Sequence, residues 1–143
     1  MEELLELRAA IDQQRYPDAL ILLGEMEEIS REDKLHKIRS YVIILLIHLI
    51  KQSAEQRTTR SWDCSIANAA EEIQYVNKRR KLGGYYLNQA ELKEIIAEAY
   101  QTALRKSALE ACEGQYTTEQ LANQVNPLII QNNALKIIAE IEK

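Results

Sequence analysis

The chain has 143 residues, 46% of them hydrophobic and 28% charged, with a formal net charge of −4. That apolar share excludes a disordered chain, and the length suits one domain burying about two thirds of its unfolded surface. Four Gly, two Pro and no Phe, against abundant Leu, Ile, Ala, Glu, Gln and Lys, favour helices, because straight side chains lose little rotamer freedom there.

A first helix is predicted from about Glu2 to Gln14, with Leu4, Leu5, Ala9 and Ile11 facing inward. Tyr16-Pro17-Asp18 breaks and restarts the chain, since proline suits a first helical turn and not the interior of the preceding helix. A second helix then runs to about Ile29 on a stripe of Ala19, Leu22, Leu23 and Met26. Ser30, with Glu32 and Asp33 behind it, reads as the N-cap of a third helix at about 31–54. Leu35, Ile38, Tyr41, Val42, Leu45, Leu46 and Leu49 recur there at helical spacing. From Tyr41 on, apolar residues lie on every side, the pattern of a helix surrounded by others.

Ser61 is a candidate cap for a fourth helix, about Trp62 to Arg80, stopped by Gly83-Gly84 and facing inward through Trp62, Ile66, Ala69, Ile73 and Val76. Asn88-Gln89-Ala90-Glu91 has the form of a capping box for a fifth helix reaching about Cys112. Thr117-Thr118-Glu119-Gln120 is a second such box, and Asn126-Pro127 opens a last helix carrying Ile129, Ile130, Leu135, Ile138 and Ile141. The expected architecture is therefore all-α: a single compact helical bundle of five to seven helices around the central apolar helix, with 113–143 as a packing or association extension.

Cys64 and Cys112 form no CxxC pair, which predicts a reducing, cytoplasmic setting and no disulfide framework. The acidic start, Met1 to Leu7, has no basic segment of the secretory kind. The most apolar stretch, Tyr41 to Ile50, falls short of the about 20 residues a bilayer span needs, so no membrane partner is expected.

Charge is unevenly spread. Residues 1–33 hold ten acids and three bases, while residues 34–81 hold ten bases and four acids. Either an acidic N-terminal hairpin lies against a basic middle section, or the middle offers a basic surface to an anionic partner. Lys78, Arg79, Arg80 and Lys81, followed by Gly83-Gly84-Tyr85-Tyr86, are the candidate nucleic-acid contacts: cations for phosphates and a ring for a base. Against that reading stands the acidic chain, with a pI of about 5.3.

The other candidate group is Glu25, Glu28, His48, Lys51, Arg57, Arg60 and Trp62. Glu25 and Glu28 share a helix face, as do His48 and Lys51. A turn at Ser30 makes their two helices antiparallel and brings the glutamates nearer Lys34, His36 and Lys37 than His48. Arg57-Thr58-Thr59-Arg60-Ser61-Trp62 supplies two guanidinium groups, three hydroxyls and an aromatic at a helix start. Such a group either holds an anion or ties a loop down, and tethering is the favoured role. His48 is expected to be a neutral core histidine bonded to a backbone carbonyl or a carboxylate. The two histidines lie twelve apart on one helix and no ExxH pair is present, so neither metal nor cofactor is expected. No nucleophile elbow, phosphate loop or dinucleotide fingerprint occurs.

The stretch HLIKQSAEQRTTRSWDCSI from His48 to Ile66, preceded by EMEEIS and LHKIRSYVIILL, resembles the bacterial, mainly cyanobacterial, domain-of-unknown-function family twenty-nine. Its hallmark is similar to a Glu-rich helix, a helix ending in HLxK and a basic linker running into RSW, over roughly residues 1–110. Here those are Glu25, Glu27 and Glu28, then His48, Leu49 and Lys51, then Arg60, Ser61 and Trp62. Members often carry an aromatic after the lysine and a proline in the linker; this chain has Gln52 and no linker proline. The resemblance implies an all-helical bacterial cytosolic protein and no activity. The function expected is that of a non-enzymatic module acting through a protein partner or self-association. A nucleic-acid regulator or toxin–antitoxin component, and an enzyme built on a carboxylate, His48 and an Arg, are the alternatives.

Overall fold

The computed structural model describes residues 2–79 and 83–141. Among them the chain forms α1 (Glu2–Asp12), α2 (Tyr16–Glu55), α3 (Arg60–Asn77), α4 (Gln89–Glu110), a 3₁₀ turn (Ala111–Gly114), α5 (Thr118–Ala122) and α6 (Pro127–Ile141). The fold is all-α, and no helix of the described residues is long and apolar enough to cross a membrane.

The predicted break at Ser30 does not occur: Ile29, Ser30 and Arg31 lie inside α2, which runs unbroken for 40 residues. A capping side chain acts only where the chain already turns, and a serine inside a helix costs less than about 0.7 kcal/mol relative to alanine. Between Asp18 and Glu55 there is no proline and one glycine, Gly24, while Glu27–Arg31 and Asp33–Lys37 have the acid-before-base spacing that favours helix.

The chain divides into two units, Met1–His36 and Lys37–Lys143. In the first, α1 ends in a Schellman-type turn, with Arg15 N–H donating to Ala10 O at 2.7 Å and Gln14 N–H to Ile11 O at 3.0 Å. Gln14 takes the left-handed conformation there (φ 60°). The inward stripes expected in this unit are mostly not buried. Ala10 and Ala19 are buried, Leu22 and Met26 half-buried, and Leu4, Leu5, Ile11 and Leu23 exposed.

The second unit holds the main core. The later half of α2 buries Ile38, Val42, Leu45, Leu46, Leu49 and Ile50, but Ile44 is exposed, so the helix is not enclosed on every side as its all-round apolar pattern predicts. Inward-facing Ala69 and Ala70 of α3, Ala99 and Ala103 of α4 and Ala134 of α6 are all buried, and α6 packs on both α3 and α4. Small side chains let helix axes approach closely, which explains this pairing. The inward face of α6 is Ile130, Ala134 and Ile138, whereas Ile129 is exposed. Both predicted capping boxes form: Asn88 with Glu91 opens α4, and Thr117 with Gln120 opens α5. Asn126 Oδ1 accepts from the amides of Leu128 and Ile129 and so caps α6.

α3 ends at Asn77, short of the glycine pair, because the chain leaves the helix into a hairpin. Lys78 is extended and bridges Tyr85, Tyr86 N–H donates to Asn77 O, and Arg79 N–H to Gly84 O. Gly83 and Gly84 serve this connection with positive φ (76° and 75°) rather than capping the helix. The Asn77 side chain closes it from inside: Nδ2 donates to Leu87 O at 3.1 Å, and Leu87 N–H donates to Oδ1 at 2.8 Å.

Candidate functional site

The polar group of the second unit gathers where α2 ends and α3 begins. Gln56 ends α2 in the left-handed region (φ 52°), a conformation that reverses the chain without glycine. Thr59, not Ser61, is the N-cap of α3, its hydroxyl accepting from Trp62 N–H at 3.1 Å. That choice starts the helix at Arg60 and leaves Arg60 and Ser61 exposed. Thr58 donates to Asp63 Oδ1 at 2.7 Å, and Gln52 Nε2 of α2 donates to both Thr58 Oγ1 and Asp63 Oδ1.

Trp62 is half-buried beneath two cations. The Lys51 ammonium lies 4.8 Å and the Arg57 guanidinium 4.7 Å from the ring centroid. Such contacts stabilise by about 0.5–1 kcal/mol each at exposed sites. Arg57 is held from its other side by Glu55, with Nη2 2.9 Å and Nε 3.0 Å from Oε1. The second Glu55 oxygen accepts from Cys112 N–H at 3.2 Å.

Glu55 is thus the joint between α2 and the turn after α4. Its side chain is 15% exposed. Burial is the largest single influence on its carboxyl and acts to raise the pKa, but the Cys112 amide, Arg57 and Lys51 together outweigh it and hold the group below the ordinary carboxylate range. The turn it braces is unusual: Cys112, Glu113 and Gly114 are all left-handed (φ 51°, 59° and 72°). A carboxylate on the first amide of that run satisfies a donor that helix geometry no longer serves.

His48 is half-buried, and its Nδ1–H donates to the Ile44 carbonyl one turn back at 2.8 Å, a backbone partner of the kind expected, at a position the core does not enclose. Glu25 and Glu28 stand on α2 in the first unit, 20 or more residues before His48, and the reversal expected to fold their face back toward Lys34, His36 and Lys37 is absent. The structure therefore brings together Lys51, Arg57 and Trp62 of the predicted group, adds Gln52, Glu55, Thr58 and Asp63, and ties most of their polar atoms to one another. Glu55 carried a weak signal in sequence: an acid two residues before an arginine at a helix end.

Two shallow grooves flank Gln52. One, of ≈ 540 Å³, is lined by Leu49, Gln52, Arg57, Thr58, Ile129 and Asn133 among others. The other, of ≈ 400 Å³, is lined by Leu49, Gln52, Asp63, Ile66, Ile137 and Glu140 among others. Both are lined by a mixture of aliphatic and polar side chains. Among the described residues no group of three or more His, Cys, Asp or Glu is placed to hold a metal ion. Of the candidate nucleic-acid contacts, Lys78 and Arg79 are exposed on the α3–α4 hairpin, with the Arg79 guanidinium 5.9 Å from the Tyr86 ring centroid. Arg80 and Lys81 lie outside the described residues.

These features define an all-α protein with a self-satisfied polar joint and shallow grooves of mixed lining beside it. The chain belongs to the family described as Domain of unknown function DUF29, whose match covers residues 8–131. The match runs past residue 110, where the sequence resemblance was placed, and takes in the start of α6. No curated protein and no solved structure matches the chain.

Proposed function

We propose that the chain is a protein–protein interaction module that associates through the start of α6 and the groove beside it. The observation carrying this reading is the exposure of Leu128 (69%) and Ile129 (58%), adjacent aliphatic residues at the start of α6, with Ile129 lining a groove together with Leu49 and Ile130. Exposed aliphatic side chains beside a groove are a form that a helix-accepting interface takes. A reducing, cytoplasmic setting belongs to the same proposal, in keeping with the free thiols of Cys64 and Cys112. Light scattering after size exclusion tests self-association: a mass above 16.5 kDa at high concentration is expected, returning to 16.5 kDa in Ile129→Glu. A wild-type chain that stays at 16.5 kDa throughout removes self-association.

The second reading, a nucleic-acid contact, draws on one observation. The α3–α4 hairpin presents Lys78, Arg79 and an exposed Tyr85 together. Salt-dependent binding to mixed nucleic acids, lost on neutralising Lys78 to Lys81, is its test. Absence of binding at low salt rejects it.

A further inference from the structure

The first unit leaves an unusual surface uncovered. Ala19-Leu20-Ile21-Leu22-Leu23 places apolar side chains at five successive positions of α2, about 100° apart around the axis, so one face turned inward leaves the others outside. Leu20 is 69% and Ile21 63% exposed, Leu23 and Ile29 are also exposed, and a side chain at Gly24 would meet nothing within 4 Å. The apolar run passes directly into Glu25, Glu27 and Glu28, and residues 1–36 hold ten acids against four bases.

These two properties select the occupant. Aliphatic residues one turn apart accept the apolar stripe of a helix, and Gly24 between them admits close approach of its backbone. The adjoining carboxylates favour cations on the same helix and repel a second acidic copy of this unit, as they repel an anionic lipid surface. We propose that α2, through Leu20, Ile21, Leu23 and Gly24 with Glu25, Glu27 and Glu28 beside them, docks a basic amphipathic helix of a partner protein. This rests on the interaction-module reading but uses a different surface from α6.

The test titrates the full chain into a fluorescent helical peptide of about 18 residues, with leucines at i, i+3, i+4 and i+7 and lysines elsewhere. The comparison peptides are a scrambled version of the same composition and one with glutamates in place of the lysines. The amphipathic lysine peptide should bind at least tenfold more tightly than either, and its affinity should fall with added salt. Leu20→Ser with Ile21→Ser, and separately Glu27→Lys with Glu28→Lys, should each weaken binding tenfold or more at unchanged helix content, while Ile129→Glu leaves it intact. Equal binding of the scrambled peptide, or indifference to either pair of substitutions, overturns the proposal. So does a wild-type oligomer that Leu20→Ser with Ile21→Ser converts to monomer, since the occupant is then a second copy. If the peptide fails while Ile129→Glu still abolishes self-association, this inference falls and the interaction module stands. If neither face associates with anything, both fall.

Discussion

Replacing Asn77 with alanine should be among the most damaging single changes in the second unit. Asn77 is 3% exposed and its amide holds both backbone groups of Leu87, itself 4% exposed. Alanine leaves a buried N–H and a buried C=O without partners, at about 1–3 kcal/mol each when the lost bond is not replaced. The expected loss is roughly 2–6 kcal/mol, which at about 3–4 °C per kcal/mol for a chain of this size lowers Tm by roughly 6–24 °C. Urea denaturation should report a lower midpoint at unchanged slope, because the surface exposed on unfolding stays the same. Hydrogen exchange at the Leu87 amide should quicken beyond what the global loss explains. Asn77→Asp keeps one acceptor but buries a charge, and should be no better at neutral pH. A loss under about 1 kcal/mol in Asn77→Ala, or an unaltered Leu87 exchange rate, refutes the idea that this side chain closes the hairpin from within.

Three further outcomes follow from the backbone and the polar joint. The Glu55 carboxyl lies lower in the folded chain than in the unfolded one, so its contribution is present above the unfolded value of about 4.3 and lost as pH falls through the folded value. The stability gap between wild type and Glu55→Gln, measured by denaturation, should be flat near neutrality and narrow as pH falls from about 5 to 3; a gap independent of pH contradicts this. Gly114→Ala should cost about 1–2 kcal/mol in the same assay, since φ is 72° and the added Cβ would stand 3.1 Å from the Leu109 carbonyl oxygen. Gln14→Gly, at φ 60° in the turn after α1, should instead stabilise by about 0.5–1 kcal/mol; a loss there refutes the assigned conformation.

Short-range signals read well where one residue type and one spacing suffice. The boxes at Asn88 and Thr117 and the start at Pro127 are local hydrogen-bond chemistry and stand where the sequence places them. The apolar run around Leu45 likewise became the most buried part of α2. Ser30 failed because a cap signal says a helix can begin there, not that the preceding one must end; with no breaker nearby, continuity wins. Thr59 displaced Ser61 because Thr58 and Gln52 fix the loop against Asp63, a contact eleven residues long that no local pattern announces. The end of α3 is set by Asn77 gripping Leu87 ten residues ahead, and Arg57 pairs with Glu55, two residues before it. The exposed leucines of α1 and early α2 were misread as a core stripe, since amphipathic spacing fixes which residues share a face but not whether anything covers it.

Trp62 is the single tryptophan of the chain, so its fluorescence reports one corner of the molecule without dilution from elsewhere. Lys51 and Arg57 cover the ring, and Glu55 stands 2.9 Å from Arg57 as its counter-charge. The covering side chains shield the ring, so a neutral quencher such as acrylamide should reach it more readily once these contacts open. The indole thereby becomes an optical gauge of whether α2, the loop and α3 are still joined at this point. It can register the opening of that joint before the rest of the fold gives way.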